Sequence, residues 1–374
     1  MSLPPLAGWT VGVTADRRWE EQAELLVRRG ARIVHGPSIR TLPLDHDEGL
    51  RAATESVIAD PPDITVLSTG LGVRAWVTAA ESLGRGEALV QALGQSQVLV
   101  RGPKAAGAAL TAGLEVAWRG PSERSAEIAD YLGGLGIAGK RVVVQRDGAP
   151  RAYLAEALAD HGADVVDVPV YRWVPAEDQA PVTRLAEAVV DGRVNAVTFT
   201  SGPGFDGFLD AAEAVGAGAT VRAALNGSVL AVCIGPVCAD RARLRGIHAP
   251  VEPQRGRIGA MVQALVHAAR ACRVDTRVGS TRVGLQGSFL ITGEGDPIEL
   301  SPRERGVVAD LLAARPGTVV AKGDLLRSVW RDPTADPHVV EVAVARLRKR
   351  LQPAGLTLEA VHRRGYRLIE AHAS

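Results

Sequence analysis

Three features of the sequence predict two related α/β halves built on parallel sheets, followed by a smaller α+β unit. The chain resembles itself at an offset of 132 residues. Short apolar runs alternate with Gly/Ser/Thr-rich turns and helical patterns, as expected of parallel strands covered on both faces. After Ala271 this alternation stops, and a strand, three helices and a hairpin follow. A length of 374 residues, 46% of them hydrophobic and 23% charged, fits two or three folded domains and excludes wholesale disorder.

The repeat is carried by short matches. Gly30-Ala31, Val34 and Pro37 return as Gly162-Ala163, Val166 and Pro169. Leu67–Gly72 returns as Phe199–Gly204, and Trp76 as Phe208. One step out of phase, Val100–Pro103 returns as Cys233–Pro236. Within each half a strand, a turn and a helix recur in order: Val11–Thr14 before Glu20–Arg29, Ile64–Ser68 before Val73–Leu83, and Ala196–Thr200 before Phe205–Val215. In such sheets ligands sit at the carboxyl ends of the strands. Ser68-Thr69 and Thr200-Ser201 fall there, and their hydroxyls and the helix N–H groups that follow suit carboxylates or phosphates. Read alone, each turn is equally well an ordinary helix N-cap.

Thr14, Val143–Arg146, Gly162–Arg172 with Tyr171, Phe199–Ser201 and Ile234–Pro236 together resemble uroporphyrinogen-III synthase over about residues 8–270. The resemblance implies two α/β domains joined by a two-stranded connector, with residues 1–42 plus 172–270 in one and 43–171 in the other. It implies that a linear tetrapyrrole is held between them and closed with inversion of its last ring, without a cofactor. Carried over by position, Tyr171 is the tyrosine that assists loss of the hydroxyl leaving group. Thr14, Ser68, Thr69, Thr200, Ser201 and Gly235 line the cleft. Arg146 and Arg151 stand where cationic side chains meet the substrate's carboxylates. Four positions depart from the family pattern. Ala15 replaces an arginine, Leu71 an amide, and Ala105 and Cys238 two threonines. Each lost hydrogen bond to a polyanion is worth about 1–3 kcal/mol, so the fold is expected to persist while efficient turnover is not.

The C-terminal segment is different in kind. Residues 271–287 read as a linker and the first strands of a new unit, which fills 288–374. Ser301-Pro-Arg-Glu304 is a helix start with a hydroxyl cap, Pro at its first position and Glu at its third. A second helix starts near Ala321 and carries Leu325, Leu326 and Val329-Trp330. The third begins near Pro337, and Val340, Val344, Leu347 and Leu351 make one apolar stripe. Its opposite side carries His338, Val342, Ala345, Arg346 and Lys349, and a hairpin with His362, Arg363 and Arg364 at its tip follows. Between 341 and 367, seven basic residues stand against two acidic ones. A basic helix beside a basic hairpin suits the DNA major groove and the adjacent phosphates.

Ile298–Glu304, Val340–Lys349 and Arg364–Leu368 closely resemble the winged helix-turn-helix domain of OmpR/PhoB-type response regulators. The resemblance makes Arg346 a base-contacting arginine and Arg348 and Lys349 backbone-contacting residues. The family's wing arginine falls on His362, with Arg363 and Arg364 beside it. Double-stranded DNA is thus the expected partner, bound by a homodimer because one winged helix covers little DNA.

The net charge of +1 argues against a globally basic nucleic-acid binder. Residues 280–374, however, hold 14 basic against 11 acidic residues, so the average conceals a basic reader. Three cysteines make no disulfide framework, no Cys/His cluster has metal spacing, and no run approaches ~18 apolar residues, so neither metal nor membrane span is expected and a cytoplasmic location is. Three readings stay open: a synthase-like module that senses a tetrapyrrole or other polyanion or mediates dimerisation, an active synthase that also binds DNA, or a docking module for a second transcription regulator. The domain pairing resembles actinobacterial regulators of nitrate and nitrite assimilation.

Overall fold

The computed structural model describes residues 3–149, 152–293, 295–314 and 317–371. Strands of the first part are β1 (Thr10–Val13), β2 (Arg32–His35), β3 (Ile39–Pro43), β4 (Ile64–Leu67), β5 (Gln97–Val100) and β6 (Trp118–Arg119). They continue as β7 (Arg141–Gln145), β8 (Asp164–Val168), β9 (Tyr171–Pro175), β10 (Ala196–Phe199) and β11 (Leu230–Cys233). The chain forms two compact units, Met1–Ser38 with Asp178–Ser374, and Ile39–Glu177.

In the first unit β11-β10-β1-β2 form a parallel sheet. Alternation along the strands fills both faces, because successive side chains point to opposite sides. Val197, Phe199 and Cys233 pack on one side against Phe205 and Phe208. Val11, Val13, Ala196 and Val232 pack on the other against Leu26, Met261 and Leu265. In the second unit β6-β5-β4-β7-β8 is likewise parallel. Leu67, Val98 and Val143 face Trp76 and Leu89 there, while Val66, Leu99 and Val142 face Ile128 and Leu158. Strands β3 and β9 pair as an antiparallel ribbon, with Thr41 opposite Trp173.

The 132-residue period is visible in the elements themselves. It carries β3 onto β9, β4 onto β10, and helix Gly70–Ser82 onto helix Gly202–Ala214 without a change of bounds. Strands β1 and β2, from the first copy, complete a sheet with β10 and β11 from the second. In the other sheet β4 and β5 pair with β7 and β8 in the same way.

The C-terminal domain opens with an antiparallel sheet of β12 (Val274–Val278), β13 (Thr281–Gln286), β14 (Phe289–Thr292) and β15 (Ile298–Glu299). Residues 271–287 therefore hold two of its strands. Helix Pro302–Ala313 starts with the capping box read from Ser301 and Glu304. Helix Lys322–Leu325 runs on as a wide π turn over Leu326–Trp330, and helix His338–Leu351 follows. The hairpin is β16 (Leu356–Val361) and β17 (Gly365–Glu370). Val340, Val344, Leu347 and Leu351 are buried with Val307, Leu311, Leu325 and Leu358.

Within the first unit this domain rests on the α/β sheet's N-terminal segment. Gln286 Nε2 donates to Pro4 O at 2.9 Å and Ala7 O at 3.2 Å, and Ser288 N donates to Gly8 O at 2.8 Å. The backbones approach closely enough to exclude a side chain. A Cβ at Gly8, whose φ is +78°, would lie 2.8 Å from Gln286 O. Among the described residues no helix is long and apolar enough to cross a membrane.

Candidate functional site

In the first unit Thr14, Thr200, Ser201 and Gly235 follow the adjacent strands β1, β10 and β11 at their carboxyl ends. Thr14 is buried, and its hydroxyl donates to Thr198 O at 2.8 Å. Ser201 Oγ accepts from Gly204 N at 3.1 Å, which caps helix Gly202–Ala214. Thr200 is half-buried, and Gly235 caps helix Pro236–Leu244. Cys238, where the family has a threonine, is buried with its thiol against Phe199 O at 3.6 Å. The Cys233 thiol beside it is pushed far above its ordinary pKa, first by its hydrogen bond with Cys238 and then by burial.

In the second unit Ser68 and Thr69 end β4, and Arg146 ends the neighbouring β7. Ser68 is buried. Thr69 Oγ1 accepts from Gly72 N at 3.0 Å and lies 3.1 Å from the Tyr171 hydroxyl, which donates to Asp147 O at 2.8 Å. Arg146 is paired with Asp167, and that hydrogen bond raises its pKa despite partial burial. A cavity of about 180 Å³ lies beside Ser68, Arg146, Asp147 and Asp167. Arg151 lies outside the described residues.

Two residues of this group escaped the sequence reading. Arg101, at the end of β5, pairs with Asp147 at 2.5 Å. Gln145 is fully buried and its Oε1 accepts from Thr69 N at 3.2 Å, fixing the turn from below. Position at a strand's carboxyl end is the signal that could have found Arg101. Nothing in the residue type of Gln145 marks it.

On the C-terminal domain, His338, Val342, Arg346, Arg348 and Lys349 all lie exposed on helix His338–Leu351, and His362, Arg363 and Arg364 are exposed at the hairpin tip. The apolar stripe decides this, since burying Val340, Val344 and Leu347 turns the other face outward. The basic residues are not equivalent. Arg350 reaches Glu304 at 3.4 Å, and Arg367 reaches Glu359 at 2.7 Å across the hairpin. Arg348 Nε donates to Leu358 O at 2.7 Å and straps the helix to the hairpin. Among the described residues Arg346, Lys349, Arg363 and Arg364 form no ion pair. Glu341, on the same helix, holds Lys322 at 2.5 Å and His338 at 3.3 Å. The Lys322 hydrogen bond, then that of His338, keeps its carboxyl below the usual pKa.

The hairpin tip is tightly specified. Arg363 adopts left-handed backbone at φ 58°, and Arg364 N closes the turn on Val361 O at 2.9 Å. Gly365 has φ +138°, and a Cβ there would lie 2.8 Å from Ala321 Cα. The reason is the bridge between Val320 and Tyr366, which presses the second strand against the segment before helix Lys322–Leu325.

The family profile of uroporphyrinogen-III synthase HemD matches residues 20–263, and that of the transcriptional regulatory protein C-terminal domain matches residues 295–368. A putative uroporphyrinogen-III synthase of Methanothermobacter thermautotrophicus is 30% identical over 249 residues, 66% of this chain and 93% of the relative. The uncharacterized protein YjjA of Bacillus subtilis is 26% identical over 260 residues, 70% of this chain and 96% of the relative. The crystal structure of a mutant uroporphyrinogen III synthase from Thermus thermophilus matches with a TM-score of 0.59 at 28% identity, covering 70% of this chain and 99% of that one. The chain belongs to the uroporphyrinogen-III synthase HemD family, and carries beyond that fold a DNA-binding transcriptional regulatory domain of the OmpR/PhoB type.

Proposed function

We propose that the chain is a transcription regulator that reads double-stranded DNA through helix His338–Leu351 and the β16–β17 hairpin, as a homodimer, with the synthase-like module as its input. The observation that carries this is the exposed set Arg346, Lys349, Arg363 and Arg364, which forms no ion pair among the described residues. Four cations on one helix face and one hairpin tip are matched to phosphates and base edges. The module senses a tetrapyrrole or related polyanion, or docks a second regulator. Control of nitrate and nitrite assimilation genes belongs to the same reading and is supported by the resemblance of the domain pairing.

The alternative is an active synthase that also binds DNA. Ala15, Leu71, Ala105 and Cys238 at positions where the family has polar groups favour the sensor reading. So does Arg146, whose charge is already matched by Asp167. The deciding experiment sequences genomic DNA captured by the full chain with and without hydroxymethylbilane and uroporphyrinogen III. Enrichment of repeated half-sites that changes with either compound is expected. Absence of any enriched sequence refutes DNA reading. Release of uroporphyrinogen III from hydroxymethylbilane at a housekeeping rate refutes the sensor reading.

A further inference from the structure

A second cavity lies away from the hydroxyl turns. It holds about 390 Å³ where the C-terminal domain meets the first α/β sheet, inside one compact unit. Arg32, Arg193 and Asn195 line it from the sheet side, and Ser288, Arg305 and Arg350 from the other. Among the described residues that line it, Glu299 is the single carboxylate.

The charges there are unequally matched. Arg32 pairs with Glu299 and donates to Ser288 Oγ at 3.2 Å. Arg350 donates to Glu299 O and reaches Glu304 at 3.4 Å. Arg193 pairs with Asp191 at 2.9 Å, with both side chains more than half exposed. Arg305 is half-buried, and its side chain has neither a hydrogen bond nor an ion pair among the described residues. Burial lowers its pKa with no opposing carboxylate. Leaving a guanidinium desolvated without a counter-ion is costly. Asn195, which lines the cavity, is buried, and its Oδ1 accepts from Thr10 N at 2.8 Å.

We propose that this cavity binds a small organic polyanion carrying phosphate or carboxylate groups, with Arg305 as the central cation and Arg193, Arg32, Arg350, Asn195 and Ser288 around it. The volume falls in the usual range for small-molecule sites, about 300–1,000 Å³. A concave basic wall concentrates anions. The bound anion joins arginines of the sheet to arginines of the DNA-reading domain and stiffens their junction. The site is separate from the hydroxyl turns at the carboxyl ends of the α/β strands, and its test involves no DNA, so it stands or falls apart from the proposed function.

The test is thermal unfolding of the full chain in rising pyrophosphate or citrate, with ionic strength held constant by NaCl. A saturating rise in Tm with at least one of the two is expected, and which one responds tells phosphate from carboxylate. Arg305→Met should weaken apparent affinity at least ten-fold. Arg193→Ala, at an exposed position that does not endanger folding, should weaken it several-fold and decides the matter if the first variant misfolds. The proposal is overturned if neither anion raises Tm beyond the NaCl control, or if both variants respond like the parent.

Discussion

The Tyr171 hydroxyl and Thr69 Oγ1 lie 3.1 Å apart, so two residues expected at a substrate site are hydrogen-bonded to each other. The phenol ties β9 to the turn after β4, and Thr69 in turn caps helix Gly70–Ser82. Tyr171→Phe removes this bond together with the one to Asp147 O, and should lower stability by about 0.5–1.5 kcal/mol for each. An unchanged urea midpoint would show that the contact contributes nothing.

Arg346→Ala should weaken binding to the selected DNA site by about 1–3 kcal/mol and relax preference at one base position. Lys349→Ala should weaken all sequences alike and lower the salt slope by about 1. Fluorescence anisotropy over a salt series, with selected and scrambled duplexes, separates the two. Equal losses on both duplexes for Arg346→Ala would move the base-reading role elsewhere.

Arg363 carries a conformational penalty at φ 58°, of about 1–2 kcal/mol for an L-residue in left-handed backbone. Arg363→Gly should raise the melting temperature while weakening DNA binding. If both fall, the residue is a packing element of the hairpin. Gly365→Ala should instead destabilise the domain by more than about 2 kcal/mol, because the Val320 carbonyl oxygen stands where the methyl would go. Chemical denaturation followed by circular dichroism measures both.

Glu341 gives a pH prediction. Its carboxyl is held below the ordinary value by Lys322 and His338, so its contribution is full at neutral pH and disappears as pH falls through the lowered value. Glu341→Gln should thus be less stable than the parent at pH 7 and match it in strong acid. It should also bind DNA more tightly, since one negative charge leaves the face. A stability gap that persists in acid would point to packing.

The α/β alternation, the apolar stripe of helix His338–Leu351 and the Ser301 cap were all legible in the sequence, because each is local: a run, a period, a spacing. The fate of individual charges was not. Seven cations between 341 and 367 look alike in sequence, yet Arg350 and Arg367 are taken up by Glu304 and Glu359. Arg305 sits one residue past a capping motif and reads as an ordinary helix residue. Only tertiary packing removes its water and its partners.

Thr41 and Trp173 occupy the same place in the two copies of the repeat and face each other at the middle of the ribbon. Pairing about that point gives each copy's first two strands to the other copy's last two. A gene fragment holding one copy would encode two half-sheets and no finished domain. Such a half-length chain could complete these sheets by exchanging strands with a twin, so the present single chain is arranged like a strand-exchanged dimer whose subunits have been fused.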